Sequence, residues 1–555
     1  MRRLSLILGG ILILAAQSPA ATSPATTPAR APAAHRPNIV LILADDMGYS
    51  DAGCFGGEIR TPNIDSIAAQ GVRMTQFYNA ARCCPTRASL LTGLYPHQTG
   101  VGHMMGNRNL PGYEGQLNSR CVTLAEALAA AGYRTAMSGK WHVCRANVRK
   151  AMVNHASTQP FWQDKSAWPR QRGFQSFYGT IIGVADYYDP FALVRDNEPI
   201  YDAPPKEFYY TDAITDEAVK QIRAGGARGA QPLFLYVAYT APHWPLHARE
   251  EDIKKYADVY KDGWDKLRET RRRRMIELGL IDENTPLPPR EPEAKAWQDS
   301  PNHEWEARRM GVYAAQIDRM DQGIGRILAA LDETKQADDT IVVFLSDNGG
   351  CAENVQPDWF DIPTKTRDGR PIAVGNSPAV MPGAQETFQS YGPSWAMASN
   401  TPFRRYKHFV HEGGIATPLV MRWPGKIPAG SVDRAPRHVI DFMPTFLEAA
   451  GATYPADKPP PEGTSLLVDK PTRTLCWEHE GNRAIRRDNW KLVAEHGKPW
   501  ELYDLATDRT EIKNLATERA DLVTELSAEY ERWAKRTNVL GWEQVRAARS
   551  SSTAE

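Results

Sequence analysis

Apolar positions along this chain follow two periods. Ile39 to Leu43 is an unbroken aliphatic run inside Asn38 to Ala44. It is too short for a helix and apolar throughout, which predicts a strand buried on both faces. Pro232 to Thr240 and Thr340 to Ser346 carry the same signature. Between these runs the period lengthens. Tyr313, Ile317, Met320, Ile324, Ile327 and Leu331 recur at spacings of three and four, one face of a long helix. Thr123 to Glu126 reads as a capping box ahead of Leu124 and Leu128, with Gly132 closing that helix. Buried strands alternating with amphipathic helices predict an α/β fold on a large mixed, mostly parallel sheet flanked by helices.

The pattern breaks near Gly451, where Pro455 and Pro459-Pro460-Pro461 interrupt regular structure. Short strand-like runs follow at Thr474 to Trp477, Arg483 to Arg486, Trp490 to Val493 and Trp500 to Leu505. A helical pattern from Leu515 to about Lys535 comes last. These predict a smaller C-terminal β-rich domain closed by a helix. The expected limits are a main domain over 37–452, a C-terminal subdomain over 465–545 and a frayed tail over 546–555. At the other end, Arg2 and Arg3 precede the apolar Leu4 to Ala16 and a small-residue cleavage site at Ser18-Pro19-Ala20. A signal peptide over 1–20 and a flexible Ala/Thr/Pro lead-in over 21–36 are therefore expected. The apolar run is short for a bilayer, and no cysteine follows it to carry a lipid. The protein is expected to be exported, periplasmic or secreted, without a membrane anchor.

Charge narrows the field. The 555 residues hold 66 Lys+Arg against 66 Asp+Glu, so nothing global favours nucleic acid as a partner. The densest basic run, Arg271 to Arg274, reads as a solvated helix face. Seven cysteines, at 54, 83, 84, 121, 144, 351 and 476, are spread too widely for a disulfide scaffold or a paired zinc motif.

Candidate chemistry sits where the strands end. Asp45-Asp46 directly follow the first predicted strand, and Asp347-Asn348 follow the one ending at Ser346. Ligands of open α/β sheets gather at the carboxyl ends of strands. Three carboxylates and an amide form an all-oxygen set, suited to a hard cation. Three anionic ligands favour Ca²⁺, with Mg²⁺ second. Gly139-Lys140-Trp141-His142 follows a predicted strand at Arg134 to Met137, and Ala241-Pro242-His243-Trp244-Pro245 follows the one ending at Thr240. Lys407 stands five residues before Glu412-Gly413-Gly414. Each fragment alone also fits a cap, a turn or a surface side chain.

One further motif joins them: Cys83-Cys84-Pro85-Thr86-Arg87, running into Ala88-Ser89-Leu90-Leu91-Thr92-Gly93. With these fragments in chain order, the sequence resembles type I sulfatases of the alkaline phosphatase superfamily. The likeness extends from Asn38 through Leu515 and includes Arg60 to Asp65, Glu501 to Leu505 and Asn514-Leu515. Phe55 to Ile59, Pro111 to Gly115 and Ala241 to Leu246 are closest to bacterial arylsulfatases. His411 stands before Glu412 where many members carry an aromatic.

The resemblance implies an alkaline phosphatase-like fold and a sulfatase that cleaves aryl sulfates or sulfated sugars. It implies that Cys83 is converted to formylglycine by a formylglycine-generating enzyme, before folding, and that its hydrate attacks sulfur. Asp45, Asp46, Asp347 and Asn348 would hold the metal, with an oxygen of modified residue 83. Arg87 and Lys140 would stabilise the hydrate and sulfuryl oxygens. His243 and Lys407 would face the leaving oxygen, and His142 would take the proton that expels sulfate. With Cys83 modified, six cysteines remain and up to three disulfides are possible. Trp244, Trp477, Glu478 and His479, with the long segment Cys351 to Gln389, are expected to line the substrate mouth. A phosphonate monoester or phosphodiester hydrolase on the same scaffold is the nearest alternative, although Lys140-Trp141-His142 and Lys407 favour sulfate. An inactive sulfatase-like binding protein is the remote one.

Overall fold

Asn38–Ala44 lies at the centre of a ten-stranded sheet. It pairs in parallel with Leu233–Ala238 on one side and Thr340–Ser346 on the other. Arg134–Gly139 and Ser176–Thr180 continue the parallel set, and Leu193–Arg195 and Glu198–Pro199 close that edge antiparallel. On the other flank Leu419–Arg422 runs antiparallel to Thr340–Ser346, followed by Val72–Met74 and Ser431–Asp433. This computed structural model describes residues 36–147, 161–162, 164–225, 231–359, 362–468 and 473–548, with residues 1 and 151. The expected signal peptide and nearly all of the lead-in lie outside the described residues, as do positions 549–555 of the expected tail.

Helices flank the sheet, and the central strands are buried at every position but Asn38. The long helix His303–Glu333 buries the whole predicted stripe from Tyr313 to Leu331. Leu124–Ala130 begins with the expected capping box, Thr123 accepting from the Glu126 N–H and Glu126 from the Thr123 N–H. The helix Cys83–Thr92 is buried at all ten positions. Among the described residues no helix is long and apolar enough to cross a membrane.

The C-terminal part is an antiparallel four-stranded meander, Thr474–His479, Asn482–Arg487, Trp490–Ala494 and Glu501–Asp504. The helix Ala520–Thr537 lays Leu522, Leu526, Tyr530 and Trp533 over Cys476, Ile485, Leu492 and Leu502, a second core that Tyr95 and Ile440 join from the main part. The predicted architecture is therefore the observed one.

Three expectations change. Arg271 is not solvated. It lies on the helix Gly263–Glu277 but is fully buried, bonded to Asp51 at 2.6 Å and to both oxygens of Glu58 at 2.8 and 2.9 Å. All seven cysteines are free and buried, so the disulfides that the resemblance left possible are not formed. The tail is ordered further than expected, because Arg546 belongs to the short helix Trp542–Ala547.

Candidate active site

Strand register brings the chemistry together. Ala44 is level with Ser346, Leu43 with Ala238, and Ala238 with Gly139. The four chain segments leaving these ends carry Asp45-Asp46, Asp347-Asn348, His243 and Lys140 to His142. Gly139 makes the close approach possible: at φ 107°, a Cβ there would lie 1.9 Å from the Ala238 carbonyl oxygen. Asp46 and His142 are non-glycine residues in left-handed backbone, at φ 66° and 60°. Such conformations cost about 1–3 kcal/mol each and persist where surrounding structure holds them.

Opposite the strand ends, Cys83 is the first residue of the buried helix Cys83–Thr92, and Arg87 is one turn further on. Arg87 Nε and Nη2 donate to Asp347 Oδ2 at 3.0 and 2.8 Å, and Nη1 donates to the Lys140 carbonyl at 2.9 Å. Its Nη2 is also 3.4 Å from Asp45 Oδ2, which accepts from Lys140 Nζ. Asp46 is held from three sides. Its N–H donates to Asp347 Oδ1 at 3.1 Å, Asn348 Nδ2 donates to its Oδ1 at 2.6 Å, and Lys407 Nζ donates to its Oδ2 at 2.8 Å. His243 Nδ1 donates to the Trp244 carbonyl at 2.6 Å, which leaves Nε2 facing Lys407 Nζ at 3.4 Å and Asp46 Oδ2 at 3.5 Å.

Burial and crowding set the charges. Burial alone would raise the Asp45 carboxyl, but Lys140 and Arg87 outweigh it and hold it below the usual range. Burial and the neighbouring Asp45 charge push Asp347 well up, against Arg87. Burial brings the His142 imidazole down to about 4, with the bond to Cys83 opposing, and it also lowers His243. The Cys84 thiol, with Lys140 and His142, holds the Cys83 thiol well below its ordinary value, while burial and Cys83 raise Cys84.

Three buried carboxylates this close disfavour one another's charge. Two oxygens of the set, Asp45 Oδ1 and Asn348 Oδ1, are buried and accept no hydrogen bond. Orphaned oxygens within an all-oxygen donor set fit a hard divalent cation such as Ca²⁺ or Mg²⁺.

The site opens into a pocket of about 440 Å³, lined among others by Arg82, Glu353, Trp359, Lys407, His408 and Glu480. Of the segment Cys351 to Gln389, residues Cys351 to Asn354 and Trp359 reach it. Trp244 stacks on Trp359, centroids 6.0 Å apart. Trp477, Glu478 and His479 do not line this pocket. All three are buried; Trp477 donates its indole N–H to the Asn79 carbonyl at 2.8 Å, and Glu478 pairs with His97 at 2.7 Å. They follow the strand into the domain seam, and the place expected for them passes to Glu480.

Sequence reasoning missed Glu353. Its Oε2 accepts from the Trp244 indole at 2.8 Å and lies 3.7 Å from Lys407 Nζ, while Oε1 pairs with Arg82 at 2.9 Å. Burial would raise this carboxyl, but Lys407 and Arg82 hold it far below the usual range. The only signal was its place six residues after Asp347.

Comparison with known proteins shows the family. The family model Sulfatase matches residues 37–452, and the model N-sulphoglucosamine sulphohydrolase, C-terminal, matches 404–536. An uncharacterized sulfatase of Schizosaccharomyces pombe is 34% identical, over 88% of this chain and 92% of its own. The arylsulfatase of Klebsiella aerogenes is 35% identical, over 75% of this chain and 87% of its own. A solved structure of a protein in complex with its substrate D-glucosamine-2-N,6-O-disulfate shares the fold. It has a TM-score of 0.57 at 22% identity and covers 91% of this chain and 98% of that one.

Proposed function

The chain belongs to the sulfatase family, as a type I member of the alkaline phosphatase superfamily, and we propose that it works through formylglycine at position 83 and a calcium ion. It is a sulfuric ester hydrolase. The observation that carries the finer reading is one buried cluster: Cys83 at a helix N-terminus, Arg87 and Lys140 beside it, His142 against it, and an oxygen cage with two orphaned oxygens across from it. Residues 37–452 form the catalytic domain and 465–545 an accessory subdomain in this reading.

Cys83 Sγ stands where the formylglycine oxygens would be. Formylglycine at position 83, once hydrated, would supply the nucleophilic hydroxyl. Asp45, Asp46, Asp347 and Asn348 would hold Ca²⁺, with Mg²⁺ second. When bound, such an ion supplies Lewis acidity, lowering the pKa of the attacking hydroxyl and neutralising sulfate charge. Arg87 and Lys140 orient the sulfuryl oxygens and stabilise charge developing on them. On the leaving side, Lys407 and His243 share a hydrogen bond. His243 Nδ1 is committed to a carbonyl, so protonation of the departing oxygen falls to Lys407 Nζ or to His243 Nε2, relayed by Lys407. His142 is neutral at working pH and takes the proton of the second hydroxyl as sulfate leaves.

The substrate is an aryl sulfate or a sulfated sugar. The arylsulfatase relative supports the first, and the sugar-disulfate complex on the same fold supports the second. Maturation requires a formylglycine-generating enzyme, and the protein is exported. The test is peptide mass spectrometry with turnover of an aryl sulfate. Position 83 should carry the mass of the aldehyde, Cys83→Ala should abolish turnover, and Cys84→Ser should retain it. Chelator-washed enzyme should recover on adding Ca²⁺. A dead Cys84→Ser enzyme with normal modification at 83 would overturn the assignment, and faster turnover of a phosphodiester or phosphonate ester than of sulfate would reject the sulfatase mechanism.

A further inference from the structure

A second group of potential metal ligands has two members, His408 and Glu480, on the pocket wall and a third, His479, buried. We propose that His408, His479 and Glu480 form a further metal site, one for a borderline divalent cation of the Zn²⁺ type. His408 follows Lys407 in its loop, while His479 ends the strand Thr474–His479 and Glu480 begins the turn after it. One donor atom from each lies within 4.8 Å of the other two. His408 Nδ1 is 3.0 Å from Glu480 Oε2, and His479 Nε2 is 3.6 Å from Glu480 Oε1. Tetrahedral bonds of ~2.0–2.1 Å place neighbouring donors ~3.3 Å apart, and each imidazole lies near that distance from one oxygen of the carboxylate, His408 from Oε2 and His479 from Oε1.

His479 points to a ligand independently. It is completely buried, and neither ring nitrogen has a hydrogen-bond partner. Buried polar atoms are rarely left unsatisfied, and a cation at Nε2 would satisfy one of these. Two imidazoles and one carboxylate are a zinc donor set, unlike the all-oxygen set at Asp45, so the two sites select different ions. His103 Nε2, 2.8 Å from Glu480 Oε1, fixes the carboxylate from behind. Binding through His408 Nδ1 would put its proton on Nε2 and give up the bond that Nε2 accepts from Asn482 Nδ2 at 3.2 Å; Asn482 keeps its bond to the His479 carbonyl at 3.0 Å. The ion would pin the hairpin of the C-terminal sheet to the loop that carries Lys407.

Unmodified Cys83, with Cys84 and His142, could also take a soft cation, so the test removes that competitor. Full-length Cys83→Ala protein is stripped with chelator, reloaded with Ca²⁺ and titrated with Co²⁺. One equivalent of Co²⁺ should bind, with visible d–d absorption, no thiolate-to-cobalt charge-transfer band and a raised Tm. Glu480→Gln and, separately, His408→Ala should weaken binding by on the order of 100-fold. The His408 ring is 34% exposed, so its removal spares the core if the Glu480 variant fails to fold. No Co²⁺ bound beyond the Ca²⁺-loaded state, a thiolate band, or unchanged affinity in His408→Ala would each overturn the proposal.

Discussion

Asp45-Asp46 and Asp347-Asn348 were legible in the sequence because they directly follow the most apolar runs, and the end of a buried strand fixes where the next residue must be. Lys140, His142 and His243 follow the same rule from neighbouring strands. Glu353 does not. Its meaning comes from Trp244, Arg82 and Lys407, which the fold brings to it from distant parts of the chain. It is a positioning residue: its charge draws Lys407 and its second oxygen anchors Arg82, next to Cys83. Glu353→Gln retains an acceptor for the Trp244 indole but removes the charge. We expect kcat for an aryl sulfate to fall roughly 10–100-fold, with the modification at Cys83 and the Tm unchanged. A kcat within about twofold of wild type would remove Glu353 from the machinery.

Elements were legible where their apolar period was strong and misleading where it was absent. The helix His303–Glu333 declares its buried face in its own sequence. The helix Gly263–Glu277 does not, because four consecutive arginines mask which one turns inward. The answer lies more than two hundred positions away, in Asp51 and Glu58, which sit beside the strand-end segment that carries Asp45 and Asp46. Arg271→Ala strands two carboxylates in the interior and should destabilise the protein by about 3–5 kcal/mol. Arg271→Lys should recover only part of this, since an ammonium cannot reproduce the planar fork that reaches both partners. Arg273→Ala, on the exposed face of the same helix, should stay within about 0.5 kcal/mol. Denaturant unfolding of the three variants checks the ranking; equal effects at 271 and 273 would restore the solvated-face reading.

At the scale of the whole molecule, the proline-rich break precedes the four C-terminal strands, but it does not tell how they are fastened to the rest. Pattern reports which faces are apolar, and Leu475, Trp477 and Val493 do join the main core, but the joint also has a polar part. Glu412, four residues after His408, is fully buried. It accepts from Lys491 at 3.0 Å, Arg509 at 3.0 Å and Tyr78 at 2.9 Å, and its own N–H donates to Glu511 at 2.8 Å. Lys491 and Arg509 come from the C-terminal part, Tyr78 from the catalytic part. Burial alone would raise the Glu412 carboxyl, yet Lys491 and Arg509 outweigh it and bring it down to about 2. A carboxyl whose pKa is lower folded than unfolded binds fewer protons in the native state. Its stabilisation is complete above its unfolded value near 4.5 and is lost as pH falls from there toward about 2. Thermal unfolding across that window should therefore show Tm falling steeply in the wild type. In Glu412→Gln the fall should be shallower, from a starting Tm already lowered at neutral pH because Lys491 and Arg509 have lost a buried counter-charge. Parallel Tm curves for the two proteins would mean that the acid sensitivity of the fold resides elsewhere.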